Sequence, residues 1–285
     1  AGIAGPAIFI AYLIAIIPAF FNTLVAAQVG SILPVSAADY VFTSTVLHPL
    51  LGFLKVWAAM LGALVGGPIL AYGFADYFAF FAPDVNRVTI ACLIVISIMI
   101  INLMGIRSSV KIQMVMVSLF VSALLILAIG GLFYIDGELL TPIAPLGWGA
   151  VLAAAVPAYY SYTGFTMLLS ITEEIKNPVR NVPLITLYTF LIVAFIYTSV
   201  TFVVPGLIHW QELGLIVAPL SAAAAVFLPE WYSTAITVAA LFAAGTSINM
   251  IIITVSRSFF AVARNRIWLA RIYQFSERSN QGCCT

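Results

Sequence analysis

Tyr160, Ser161, Tyr162, Thr163, Gly164 and Phe165 follow Pro157 inside a long apolar run, and that run ends in a charged segment holding Glu173, Glu174, Lys176, Asn177, Pro178, Arg180 and Pro183. Pro157, Gly164 and the polar run Tyr160, Ser161, Tyr162 and Thr163 are costly facing hydrocarbon and make sense lining a cavity. Gly164 reaches dihedrals that other residues resist, so the backbone here is free to unwind. Unwound backbone offers amides to a carboxylate and carbonyls to an ammonium, so both ends of a zwitterion are met without buried ionic side chains. Tyr160 and Tyr162 add aromatic faces that hold an ammonium or shut a pocket. The chemistry this permits is reversible capture of a small polar solute. The competing use of the same residues is close helix packing, for which membrane proteins favour small side chains.

The elements that must position these residues are spanning helices. The chain has 285 residues, 64% hydrophobic and 7% charged, against roughly 25% charged in soluble domains, which excludes an ordinary soluble fold. Seven uncharged runs reach the roughly 18 residues that mark a spanning helix. They predict spans near 6–30, 51–75, 88–106, 112–134, 149–171, 183–207 and 231–256. The run 213–229 carries Pro219 and a stretch of alanines, and reads as an outer loop with an interfacial helix.

Charge orients these spans. With that loop left out, Lys55, Arg107, Lys111, Lys176, Arg180, Arg257, Arg264, Arg266, Arg271 and Arg278 fall on one side and Arg87 on the other. The positive-inside rule then places the N-terminus outside, the C-terminus and a tail over 257–285 in the cytoplasm, and all of 1–285 in one membrane domain, with the plasma membrane the expected location. Asp76, next to Asp84 and Arg87, reads as an outer-interface residue. Nothing in this balance supports a nucleic-acid partner; the expected partners are the lipid bilayer and a small solute, with oligomeric state left open.

In the charged segment, Asn177 before Pro178 is expected to end one helix, and Pro183 to sit in the first turn of the next. A solvated loop with weak ion pairs is the ordinary fate of such a run. Its pattern also resembles a signature of the amino acid, polyamine and organocation permease family: an aromatic-rich Gly-Phe stretch, then Glu-Glu, Lys-Asn-Pro, Arg and Pro. Residues 5–42 look like that family's second helix and following loop, with Pro34 and Tyr40 in place. Ala37 and Ala38 stand there for a usual glycine pair, and Gln28 for a usual glutamate. The run RSFFAVAR, 257–264, is similar to the arginine-containing end of its eighth helix.

The resemblance implies an all-α integral membrane protein with a partial LeuT-type inverted-repeat fold, its seven spans matching helices two through eight. It implies secondary transport of amino acids or related amines by alternating access. On it, Tyr160 to Phe165 form the unwound substrate-facing turn. Thr246 and Ser247, beside Gly245 and Asn249 in the seventh span, correspond to hydroxyls that contribute to a sodium site in sodium-coupled relatives. No resident cofactor is implied, and the coupling ion is H+ or Na+. Phe120 occupies the position where some proton-coupled members carry a lysine, so exchange stays open. A chain lacking the first helix is expected to show no saturable uptake alone, and a truncated permease inactive in transport is the alternative reading. The start at Ala1, with no methionine or basic leader, leads to the expectation of residues upstream.

The remaining residues add little chemistry. Cys92 reads as packing within a span, and Cys283 and Cys284 end the tail as acylation candidates. His48 and His209 fall in loops without clustered ligands, so no metal site is proposed. GxSxG, HExxH and phosphate-loop patterns are absent, and an enzyme is not expected. A seven-span receptor fits the layout, but Asp-Arg-Tyr after the third span and Asn-Pro-x-x-Tyr in the seventh are missing.

Overall fold

The computed structural model describes residues 2–33, 35, 37–82, 84–103, 106–170, 172, 175–216 and 218–264, with side chains for all but 106–113, 166, 170, 263 and 264. Pro34, Glu173, Glu174, Arg266, Arg271, Arg278, Cys283 and Cys284 lie outside the described residues. Regular structure within them is helical throughout: α1 Ile8–Ile32, α2 Ala38–Phe42, α3 Pro49–Phe78, α4 Arg87–Leu103, α5 Ile106–Gly131, α6 Gly147–Ser161, α7 Pro178–Leu207, α8 Trp210–Leu213, α9 Pro219–Ala225 and α10 Glu230–Arg264.

Helices over Gly5–Ile32, Pro49–Phe78, Met114–Tyr134, Pro178–Leu207 and Glu230–Val262 are long and apolar enough to cross a membrane. The expected third span is α4, of 17 residues. The expected fifth is divided into α6 and a 3-10 helix over Thr163–Ser170. The run 213–229 holds only the short α9.

Two boundaries differ from the sequence expectation. The helix α7 starts at Pro178, not near residue 183. Asn177, at φ 50°, accepts the amides of Arg180 and Asn181 on its carbonyl and so caps the helix, which gives Pro178 the first position, where its missing amide costs nothing. Pro183 falls in the second turn instead. At the other end of the chain, α10 continues past residue 256 to Arg264, because Ala261 and Val262 are buried beside Tyr40 and Val56. The expected tail therefore begins as helix.

The chain divides into two compact units. The first comprises Ala1–Asn22, Gly67–Thr163 and Tyr188–Asn249. Its core joins α5, α7, α9 and α10 through Leu127, Val203, Ala223, Ala224 and Ile236, all essentially inaccessible. A second cluster packs Ala4, Ala7 and Ala11 on Val151 and Ala154 of α6. Lipid is as apolar as leucine, so small residues that let backbones approach, and hydrogen bonds between helices, do the joining. Tyr232 donates to the Ala123 carbonyl at 2.9 Å, and Asn102 to the Asn249 side chain at 2.6 Å. Large apolar residues such as Leu103 and Phe133 face outward, the pattern expected of lipid-facing surface.

The second unit comprises Thr23–Gly66, Gly164–Leu187 and the residues from Met250. Ala26, Val29, Ala38 and Leu169 form one of its clusters. Thr172, fully buried, donates to the Val35 carbonyl at 3.1 Å. Ala37, one of the alanines standing for glycine, takes φ 54° and ψ 47° ahead of α2, a left-handed conformation that a glycine adopts without the Cβ penalty. Cys92 is exposed on α4 rather than packed inside.

A Cβ on Gly131 of α5 would overlap the Val203 side chain of α7 and lie 3.2 Å from Leu207. Gly131→Leu is therefore expected to destabilise by about 1–3 kcal/mol, read as a lower thermal midpoint in detergent. Gly62→Ala, with nothing within 4 Å of the added carbon, should hold or raise the midpoint. Equal midpoints for Gly131→Leu and the parent would contradict this packing.

Candidate functional site

The break in the fifth span is built from local backbone chemistry. Pro157 lies inside α6 and removes one amide from its ladder. The helix ends at Ser161, and Tyr162 turns at φ −94° and ψ −3°, its amide tightening onto the Tyr159 carbonyl at 2.9 Å. Thr163 Oγ1 donates to the Tyr160 carbonyl at 2.7 Å, and Ser161 Oγ reaches the Pro157 carbonyl at 3.5 Å. The Thr163 hydroxyl thus answers a carbonyl at the helix end, while Ser161 bonds back one turn within α6. The 3-10 helix that follows has eight residues, longer than the three or four usual for that geometry, and such stretches mark hinges or strain.

Tyr162 is the centre of an aromatic cluster in the first unit. It is 2% exposed. Its ring centroid lies 5.9 Å from Tyr12 of α1, 5.6 Å from Tyr197 and 6.0 Å from Phe190, both of α7. Tyr12 and Tyr197 meet edge to face at 6.1 Å, an arrangement that aromatic quadrupoles favour. Tyr12 Oη lies 3.4 Å from Ser161 Oγ. The Tyr162 hydroxyl faces the Thr198 hydroxyl across the cluster, the two lying just outside well-formed hydrogen-bond geometry. Buried polar atoms are almost always bonded, so an unfilled pair calls for an explanation.

The residues named from sequence separate in space. Tyr160 is 59% exposed, because positions two apart on a helix do not share a face. Ser161 and Gly164 are exposed, Thr163 and Phe165 half-buried. Gly164 has open space around it, and the chain passes from the first unit to the second between Thr163 and Gly164. Ser161 and Tyr162 are brought together with Tyr12, Phe190, Tyr197 and Thr198, none of which the sequence reading selected. Tyrosines inside otherwise apolar spans were the available signal.

Elsewhere, Lys176, Asn177 and Arg180 are exposed, and Asn181 Nδ2 donates to the Lys176 carbonyl at 2.6 Å. Thr246 and Ser247 both donate to the Ala243 carbonyl at 2.9 Å. Their oxygen lone pairs remain available to a cation. Thr246 and Asn249 border an apolar cavity of about 310 Å³, walled by Phe74, Phe78, Met116 and Phe242. Phe120 packs against the main core of the first unit. His48 and His209 each accept a backbone amide on Nδ1, from Leu50 at 3.2 Å and Gln211 at 3.4 Å.

A family model described as "Amino acid permease" matches residues 1–281. The branched-chain amino acid permease BcaP of Bacillus subtilis is 25% identical over 282 residues, covering 92% of this chain and 61% of that protein. The methylthioribose transporter of the same organism is 25% identical over 230 residues, 74% of this chain and 50% of the relative. The vacuolar cationic amino acid transporter 4 of Arabidopsis thaliana is 26% identical over 298 residues, 96% of this chain and 50% of the relative. The chain thus spans half to three fifths of the length of these curated relatives.

Tyr162→Phe removes a hydroxyl that is poorly aligned with Thr198 and is expected to change stability by no more than about 1 kcal/mol. Tyr162→Ala empties the centre of the cluster and should cost about 3–5 kcal/mol. Thermal unfolding of the two variants in detergent separates these. A clear loss in Tyr162→Phe would mean that the hydroxyl is bonded.

Proposed function

We propose that this chain, which belongs to the amino acid permease family, serves a secondary transporter carrying amino acids or related amines across the membrane by alternating access. The observation that supports this reading most directly is the division of the fifth apolar segment at Tyr162, where α6 gives way to a 3-10 helix in the middle of an apolar run. Discontinuous helices of this kind hold substrates near the bilayer midplane in secondary transporters. The substrate's carboxylate and ammonium meet backbone over residues 160–165, and Tyr160, Ser161, Tyr162, Thr163, Gly164 and Phe165 line that stretch. Tyr12 and Tyr197 act behind Tyr162 as positioning residues. The relatives named above carry small polar solutes by their names, and an amino acid or amine is the class this stretch suits. The family is one of transporters, and no enzymatic step is invoked.

The chain is an integral membrane protein. Its basic residues favour an N-terminus outside and the cytoplasm at the far end of α10, in the plasma membrane. The coupling ion is H+ or Na+, and where it is Na+, Thr246 and Ser247 are its ligands on α10.

The protein carrying this chain, reconstituted in liposomes preloaded with unlabelled amino acids, is expected to take up labelled amino acid saturably by counterflow. Uptake no greater than that of empty liposomes would overturn the reading. Tyr162→Ala should lower uptake about tenfold or more at equal insertion, a loss of about 1.4 kcal/mol. If uptake requires sodium, Thr246→Ala with Ser247→Ala should raise the sodium concentration for half-maximal rate. An unchanged sodium dependence removes both residues from that role.

A further inference from the structure

Away from the Tyr162 cluster, the first unit holds an open-mouthed pocket of about 450 Å³ between the end of α3, the start of α4, α9 and the start of α10. That size suits a small-molecule site. Asp76 and Arg87 are the charged residues on its wall. Asp76 lies in the last turn of α3 and Arg87 opens α4, so both stand at helix ends.

The two charges form an incomplete pair. Arg87 Nη1 is 3.1 Å from Asp76 Oδ1, with the side chains 55% and 33% exposed. Asp76 Oδ1 is itself shielded from solvent and lacks an aligned hydrogen bond. Arg87 sits at the positive end of the α4 dipole, where a cation is disfavoured unless an anion answers it. A half-exposed pair of this kind contributes little and opens at low cost. The hydroxyls nearby are already engaged: Ser221 Oγ meets Thr237 Oγ1 at 2.6 Å, and Ser233 Oγ donates to the Ser221 carbonyl at 3.1 Å. They tie α9 to α10 and hold the wall in place. The rest of the lining is apolar, including Ala79, Phe80, Ile216 and Ala222.

We propose that this cavity is a second binding site, for a free amino acid with an apolar side chain, its ammonium on Asp76, its carboxylate on Arg87 and its side chain against Phe80 and Ala222. A lone anion would meet the Asp76 charge and a lone cation the Arg87 charge. A zwitterion instead replaces one poorly aligned pair by two charge-assisted contacts. The choice of an amino acid rests on the permease reading above.

The test uses the full chain in nanodiscs, with Cys92, Cys283 and Cys284 replaced by serine and a trifluoromethyl label on Ala225→Cys, a wall residue outside the proposed contacts. Fluorine NMR then reports the cavity, and equilibrium dialysis of labelled L-leucine reports total binding. The expected result is a saturable shift with L-leucine and none with isovalerate or isobutylamine at equal concentration. Asp76→Asn and Arg87→Gln should each raise the leucine midpoint about tenfold or more, the loss of one charge-assisted contact. Leucine bound in dialysis without a fluorine shift overturns this site and leaves the permease reading standing. No leucine bound by either measure counts against both. A shift with isovalerate or isobutylamine alone, or midpoints unchanged in both variants, also overturns the zwitterion site, and the analogue comparison holds even if a variant fails to fold.

Discussion

Backbone polar groups inside hydrocarbon find no water, so each must be satisfied by the chain itself. The rest of this structure depends on that constraint. It keeps α1 and α3 helical past Pro18 and Pro68, although each proline removes a ladder bond. It also makes the end of α6 at Ser161 informative, since the apolar run continues to Thr172. Thr163 and Ser161 direct their hydroxyls at the Tyr160 and Pro157 carbonyls. A 3-10 helix takes over rather than open coil. The break is therefore a closed piece of backbone that can offer its polar groups to a solute without leaving them bare.

The same constraint sorts the hydroxyls. Thr186, Thr201 and Ser256 donate to carbonyls one turn back, at 2.6, 2.7 and 2.7 Å, so their polarity is absorbed by their own helices. Against that background Tyr162 and Thr198 stand out, for both are shielded, face each other and lie outside well-formed hydrogen-bond geometry. Packing alone would be served as well by phenylalanine and valine. Two open hydroxyls at the break carry the capacity to bond something that arrives.

Much of this was legible in the sequence because it follows from composition and local rules. Uncharged runs located every long helix, and Pro157 with Gly164 located the interruption. The start of α7 lies at Pro178 and not near Pro183 because Asn177 in a left-handed conformation makes Pro178 the natural first residue. The uncharged run stops short at residue 256, although RSFFAVAR already resembles a helix end, and α10 reaches Arg264 with Ala261 and Val262 meeting Tyr40 and Val56, a contact between segments about two hundred residues apart. Likewise Tyr12 and Tyr197 became site residues only when α1 and α7 were brought to Tyr162. Tyr160 and Tyr162 looked equivalent in the sequence, and helical geometry sent one inward and one outward.

Two ion pairs show why equal motifs need not have equal roles. Lys55 lies 3.6 Å from Asp39 Oδ2, while Asp39 Oδ1 accepts the Tyr40 amide at 2.9 Å at the start of α2. Asp39 is thus held by its own helix, and its negative charge suits a helix N-terminus. Displacing Lys55 would leave a carboxylate that still has a structural partner. Asp76 has no comparable local bond: its Oδ1 faces only Arg87, out of line, at the edge of a cavity. The first pair rests on a carboxylate already held in the first turn of its own helix. The second leaves directed bonding capacity open on both charges, which is the condition for an incoming ligand with two charges to compete with it.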